Sequence, residues 1–214
     1  MIIGLTGGIG SGKSTIAKQL RAMGYAVYDT DSEAKRLIVE DTQVRQQMEQ
    51  LFGKEVYADG VYQTALVAQR VFASPPFRGE SEGGLLTQLN NIVHPAVRAD
   101  ILRWVQTINH ATPRYTTLHH ATKGLGVGLF FVECAILYQA GFDELCDKVI
   151  VVTAPEEIRL ARAVARDHST IEKVRARMRA QQTDQDLQRA DLVVNNDGQT
   201  PIPTLCEEII RQLR

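Results

Sequence analysis

One stretch near the start of this 214-residue chain, Gly4-Leu5-Thr6-Gly7-Gly8-Ile9-Gly10-Ser11-Gly12-Lys13-Ser14-Thr15, limits the possible folds more than any other. Gly7, Gly12, Lys13 and Ser14 stand at the fixed positions of the phosphate-binding loop, G-x-x-x-x-G-K-[ST]. Such a loop works only where a buried strand hands over to a helix, and the flanks agree. Ile2 to Leu5 is a short apolar run that reads as a strand, and Ser14 to Met23 reads as the following helix. Gly7, Gly8, Gly10 and Gly12 let successive backbone N–H groups turn inward around a polyphosphate, where side chains would block the approach. Ser11 and Thr15 complete the expected nucleotide-binding set. Lys13 supplies a point charge for the outer phosphates, and the Ser14 hydroxyl is suited to Mg²⁺. A glycine-rich turn of no consequence is the competing explanation, and the agreement of strand, loop and helix disfavours it. A nucleoside triphosphate ligand is implied.

The charge balance narrows the partners. Lys and Arg number 24 against 25 Asp and Glu, which argues against nucleic acid or an anionic membrane as a main partner. No obligate protein partner is implied. Cys134, Cys146 and Cys206 are scattered and lack C-x-x-C spacing, so buried free thiols are expected. No apolar run approaches the roughly 20 residues that span a bilayer. The first strand begins at Ile2, leaving no room for a signal peptide, and a cytoplasmic location is expected.

Four further apolar runs read as parallel strands: Tyr25 to Tyr28, Gly128 to Val132, Lys148 to Thr153, and Leu192 to Val194. Helical patterns separate them, so an α/β, doubly wound parallel sheet is predicted, with ligands at the carboxyl ends of its strands. Between Ser32 and about His110 the pattern is helical without strands: one helix begins at Asp41-Thr42 and ends at Gly53, and another spans Leu85 to Ile108, interrupted or bent at His94-Pro95. Residues 111–128 read as a loop, where the adjacent His119 and His120 lack the neighbours a metal site needs. Residues 156–179 carry seven Lys/Arg against four Asp/Glu, enough excess to suggest a lid over phosphates rather than a solvated face. Pro155 suits a first helical position, Arg159, Arg162 and Arg166 share one helical face, and Ser169 with Glu172 reads as a capping box for a second helix. The resulting expectation is a P-loop kinase-like core over 1–31, 129–155 and 185–214, a helical substrate-binding insert over 32–128, and an arginine-rich lid over 156–184.

No N-K-x-D segment is present to read guanine, and the chain has no room for the extra modules of most motors. A small kinase is the remaining class, with ATP and Mg²⁺ as its cofactors. Kinase chemistry on an alcohol asks for a carboxylate near the attacking hydroxyl. Asp29 and Asp31 close the second strand, and in extended chain they point the same way. Proton acceptor, metal-shell or structural ligand, and helix cap are all open to this pair.

At this point the residues resemble the dephospho-coenzyme A kinases, which phosphorylate the ribose 3′-hydroxyl of dephospho-CoA to give coenzyme A, the last step of its biosynthesis. The likeness runs over nearly the whole chain. It comprises Leu5 to Thr15, Val27-Tyr28-Asp29-Thr30-Asp31, Leu89-Asn90-Asn91-Ile92-Val93-His94-Pro95, the set Arg162, Arg166-Asp167, Arg177 and Gln181, and Ala190-Asp191 through Asn196. The resemblance implies that Asp31 is the general base, with Lys13 and Arg166 as the other catalytic groups. It implies Arg162 and Asn196 for nucleotide, and Asp29, Asp31 and His94 for the small-molecule substrate, dephospho-CoA. Three positions depart from the pattern. Ala135 and Gln139 stand where the family has Pro and Glu, and Thr64 stands where an arginine is expected. Glu133, at a strand end, is available for a carboxylate role.

Overall fold

The computed structural model describes residues 1–73, 84–111, 128–179, 181 and 183–214. The expected 111–128 loop, with His119 and His120, falls almost wholly outside them, as do residues 180 and 182 of the arginine-rich segment. Two compact units divide the chain, residues 1–29 with 111–214, and residues 30–110.

The first unit is built on a sheet of five parallel strands in the order β2-β3-β1-β4-β5. They are β1 (Ile2–Thr6), β2 (Ala26–Asp29), β3 (Phe130–Glu133), β4 (Lys148–Thr153) and β5 (Leu192–Asn195). Each lies within two residues of its predicted run. The apolar runs are strands because they are buried: all four residues of β3 and the middle four of β4 are out of solvent. Parallel pairing brings Asp29, Glu133 and Leu5 side by side at the carboxyl end, since Asp29 and Leu5 both register with Glu133. Helix α1 (Lys13–Ala22) and the C-terminal α9 (Ile202–Gln212) cover one face. Ile16, Ala17 and Leu20 of α1 pack with Ile3 and Leu5 of β1 and with Cys206, Ile209 and Ile210 of α9. The three cysteines are free thiols, and burial pushes Cys146 up to about 12 and Cys206 up to about 11.

The second unit is helical among its described residues. It contains α2 (Thr30–Glu40), α3 (Thr42–Phe52), a kinked 3-10 segment (Lys54–Gly60), α4 (Thr64–Ala73) and α5 (Leu85–Ala111). The start of α3 is as predicted: the Asp41 carboxylate accepts from the Gln43 and Val44 N–H groups at 2.9 and 3.0 Å, and Gly53 follows the last turn. Val44, Met48 and Phe52 form a core with Val56, Tyr57, Val67 and Val71, flanked by Leu85, Leu89 and Ile92. Arg36 ties α2 to α5 by donating to Asp100 at 2.8 Å while also bonding Glu33.

Three local expectations are corrected. Helix α5 runs from Leu85 to Ala111 with Pro95 inside it, so of the two expectations there, interrupted or bent, interruption is excluded. Its packing against the unit core outweighs the one donor the proline lacks. Asp31 is not in extended chain: α2 begins at Thr30, so Asp29 ends a strand while Asp31 lies in the first turn of a helix, where its charge suits the dipole. Pro155 precedes the first turn of its helix as the cap residue.

Leu20 is fully buried between α1, α9 and the sheet. Leu20→Ala is therefore expected to lower the unfolding free energy by about 3 kcal/mol, read from the urea midpoint. Removing the exposed-face cap with Asp41→Ala is expected to cost only about 1 kcal/mol.

Candidate functional site

The chain leaves β1 at Thr6 and enters α1 at Lys13, and the glycine loop lies between. Two glycines are required by geometry. Gly12 precedes the helix in the left-handed region at φ 88°, and a Cβ there would strike the Asn196 amide. Gly10, at φ 78°, lies against the backbone of Arg159 with no room for a side chain. The loop is closed on itself by Ser11 N–H donating to the Gly8 carbonyl at 3.1 Å. The Asn196 amide donates to the Ser11 carbonyl at 2.8 Å, and Arg162 donates to the Asn196 carbonyl at 2.9 Å. Thus Arg162 and Asn196, predicted for nucleotide, meet the loop. Together with Gly12, Thr15, Thr200 and Ile202 they line a cavity of about 330 Å³ at the start of α9. Of the cavity-lining residues, Asn196 has a buried Oδ1 without a hydrogen-bond partner, as do Thr6 Oγ1 at the end of β1 and Ser11 Oγ in the loop. Orphaned groups of this kind each cost on the order of 1–3 kcal/mol, and a ligand or water that pairs them recovers it.

The Lys13 ammonium and the Ser14 hydroxyl both donate to a single oxygen, Glu133 Oε1, at 2.8 and 2.7 Å. The ion pair is nearly dry, with side-chain exposures of 10% for Lys13 and 6% for Glu133. Strand register explains the meeting: β3 lies beside β1, so the last residue of one is level with the exit into the loop of the other. Asp29 stands in register on the far side of Glu133.

The basic segment folds as α6 (Glu156–Asp167), α7 (Ile171–Arg179) and a short α8 (Thr183–Gln188). Ala163, Val174 and Met178 form its apolar seam, and Ile9 from the phosphate-type loop packs into it. The arginines predicted to share one face have three different partners. Arg159 donates to the Ile9 carbonyl at 3.0 Å, Arg162 reaches Asn196, and Arg166 turns to Asp167 at 2.7 Å. Arg177 joins Arg166 on Asp167 at 2.5 Å. Arg166 and Arg177 together hold the Asp167 carboxyl well below the usual carboxylate range. The expected Ser169 capping box is replaced by its neighbour. The Thr170 hydroxyl accepts from Lys173 N–H at 3.4 Å because α7 starts at Ile171, one residue later than a Ser169 cap requires. Glu172 still folds back, held below its ordinary value by its own backbone N–H and by Thr170.

His94 lies in α5 of the helical unit, half-buried, and burial lowers its pKa. Asp31 is in the first turn of α2 in the same unit. Reading the sequence missed Arg159 as a partner of the loop and missed Thr200 and Ile202 as cavity walls. It named Gln181 without its contact, an acceptor bond from Ile9 N–H at 2.7 Å. Pro201, ahead of α9, was the available signal for that wall.

The sequence profile described as Dephospho-CoA kinase matches residues 1–201. A dephospho-CoA kinase of Porphyromonas gingivalis is 39% identical over 188 residues, covering 88% of this chain and 81% of that protein. A crystal structure of a Thermus thermophilus protein is 30% identical with a TM-score of 0.73, covering 100% of this chain and 95% of the other. A dephospho-CoA kinase from Campylobacter jejuni, 22% identical with a TM-score of 0.65, covers 99% of this chain and 96% of its own, and shares the fold.

Two outcomes are expected. Glu133→Ala leaves the buried Lys13 ammonium unpaired and should destabilise the ligand-free protein by about 3 kcal/mol in urea unfolding. Triphosphate should recover part of that loss by pairing Lys13. For His94, the folded pKa lies below the unfolded one, so the neutral ring favours the fold. That contribution is present above the ordinary histidine value and is lost as pH falls through the lower folded one. His94→Gln should flatten the thermal-midpoint profile across that acid window.

Proposed function

Because the chain belongs to the dephospho-CoA kinase family, we propose that it transfers the γ-phosphoryl group of ATP to the ribose 3′-hydroxyl of dephospho-CoA, yielding coenzyme A and ADP. The observation that carries this reading is the family match through residues 1–201, which takes in both the glycine loop and the His94-Pro95 segment. The loop geometry supports it from the chemical side. Phosphoryl transfer through a loose transition state needs positioning and charge neutralisation more than covalent help. Gly8, Gly10, Ser11 and Gly12 form the cradle, with Lys13 moving its charge from Glu133 onto the outer phosphates. Ser14 and Thr15 open the helix at the phosphate end, and Arg162 and Asn196 flank the nucleotide cavity.

Ser14 and Glu133 suit Mg²⁺, because their contacting atoms are a hydroxyl and a carboxylate oxygen, hard donors already drawn together. No cluster of three or more His, Cys, Asp or Glu among the described residues would hold a metal unaided, which fits a cation that shares its ligands with phosphate and water. When bound, Mg²⁺ neutralises charge on the transferring phosphates. Asp31 takes the proton of the 3′-hydroxyl late in the transfer, Asp29 and His94 serve the acceptor, and Arg166 leaves Asp167 to meet the phosphates. A cytoplasmic site of action belongs to the same proposal, since its donor is cytoplasmic ATP. No helix among the described residues is long and apolar enough to cross a membrane.

The test is ADP release with ATP, Mg²⁺ and dephospho-CoA, run beside pantetheine and nucleosides. Rapid turnover with dephospho-CoA is expected, and a nucleoside used well in its place overturns the substrate. Asp31→Asn should lower kcat by about 10²-fold with ATP affinity nearly intact. An equal loss of ATP binding would make Asp31 structural.

A further inference from the structure

Ile9, in the glycine loop, has both of its peptide groups held by side chains of the arginine-rich segment, Arg159 in α6 and Gln181 just after α7. Its N–H donates to Gln181 Oε1 at 2.7 Å, and its carbonyl accepts from Arg159 Nε at 3.0 Å. Gly8 lies directly beneath these two groups, and a Cβ there would meet the Arg159 guanidinium and, at 3.2 Å, Gln181 Oε1. The Ile9 side chain is packed into the seam of the same helices.

A trans peptide is planar, with its C=O and N–H pointing in opposite directions. In the Gly8–Ile9 peptide the N–H goes out to Gln181, so the Gly8 carbonyl turns the other way, where Ser11 N–H meets it at 3.1 Å. In the Ile9–Gly10 peptide the carbonyl goes out to Arg159, so the Gly10 N–H must point away from those helices. Two consecutive peptide planes are thereby set from outside the loop. We propose that Arg159 and Gln181 are positioning residues that fix the apex of the phosphate cradle, aiming the Gly10 N–H at the outer phosphate of the nucleotide and making loop geometry depend on the arginine-rich helices. This rests on the functional reading above. It adds to that reading two residues that do not touch the reacting atoms but orient a donor that does. The alternative, a loop that holds its shape without them, predicts that either side chain can be lost freely.

The test has two arms. In the first, exchange of the Ile9 amide is followed by NMR in the ligand-free protein. Gln181→Leu, which keeps the volume and removes the acceptor, should speed exchange at Ile9 at least tenfold and leave β1 and α1 protected. Gln181→Glu, which keeps an acceptor oxygen, should restore protection. In the second arm, Gln181→Leu and Arg159→Met, which removes the donor, should each lower kcat about tenfold with the KM for dephospho-CoA within twofold. The double variant should lose no more than about either one alone, because both act on one strip of backbone. Unchanged exchange in Gln181→Leu, full activity despite a loosened amide, or losses that multiply would overturn the proposal. A wild-type protein that phosphorylates nothing defeats the functional reading instead. The exchange arm, with ATP affinity of the same variants as its second readout, then decides the clamp.

Discussion

One carboxylate oxygen anchors the glycine-loop end of the sheet. Glu133 Oε1 receives both the Lys13 ammonium and the Ser14 hydroxyl in a nearly dry setting, and every neighbouring feature bears on that meeting. A buried lysine needs a partner, and a buried carboxylate needs donors, so each justifies the other's removal from water. The contact exists only because β3 is inserted between β2 and β1, which brings a residue 120 positions away in sequence level with the start of α1.

A second constraint comes from the other side of the loop. Glycines let the chain turn, but a chain of glycines does not choose its own shape, and the loop is shaped by what surrounds it. Asn196 holds the Ser11 carbonyl, Arg162 holds Asn196, and Arg159 with Gln181 hold Ile9. The arginine-rich helices are thus part of the wall of the cradle, joined to it by the apolar seam that takes in Ile9. Arg166 and Arg177 are spent on Asp167 in this state, outside the cradle.

Much of this could be read from the residues because the signals were local. The strand runs, the Asp41 cap, the terminating Gly53 and the loop motif each depend on a few neighbouring positions, and each is found as expected. The misses have a common cause. Local pattern extends the strand geometry through Asp31, but two residues after the strand end the backbone is already helical, in α2 of the second unit. The Ser169 cap lost to Thr170 by one residue, a difference that propensity does not resolve because both hydroxyls can cap. Pro95 reads as a break in isolation and is carried within α5, whose flanking residues pack on the helical core.

By itself the sequence determined the α/β class, a glycine loop between the first strand and the first helix with Lys13 and Ser14 at its end, and membership in a kinase family. These follow from residue types at fixed short spacings, where a rule about backbone or charge applies directly. Only the tertiary structure decided which groups face one another: Glu133 on Lys13, Arg159 and Gln181 on Ile9, Arg162 on Asn196, and Arg166 on Asp167 instead of the loop. Helical periodicity put three arginines on one face, but a face is not a partner. Partners are set by strand order and helix packing, which act between residues far apart in the chain, and no local pattern encodes them.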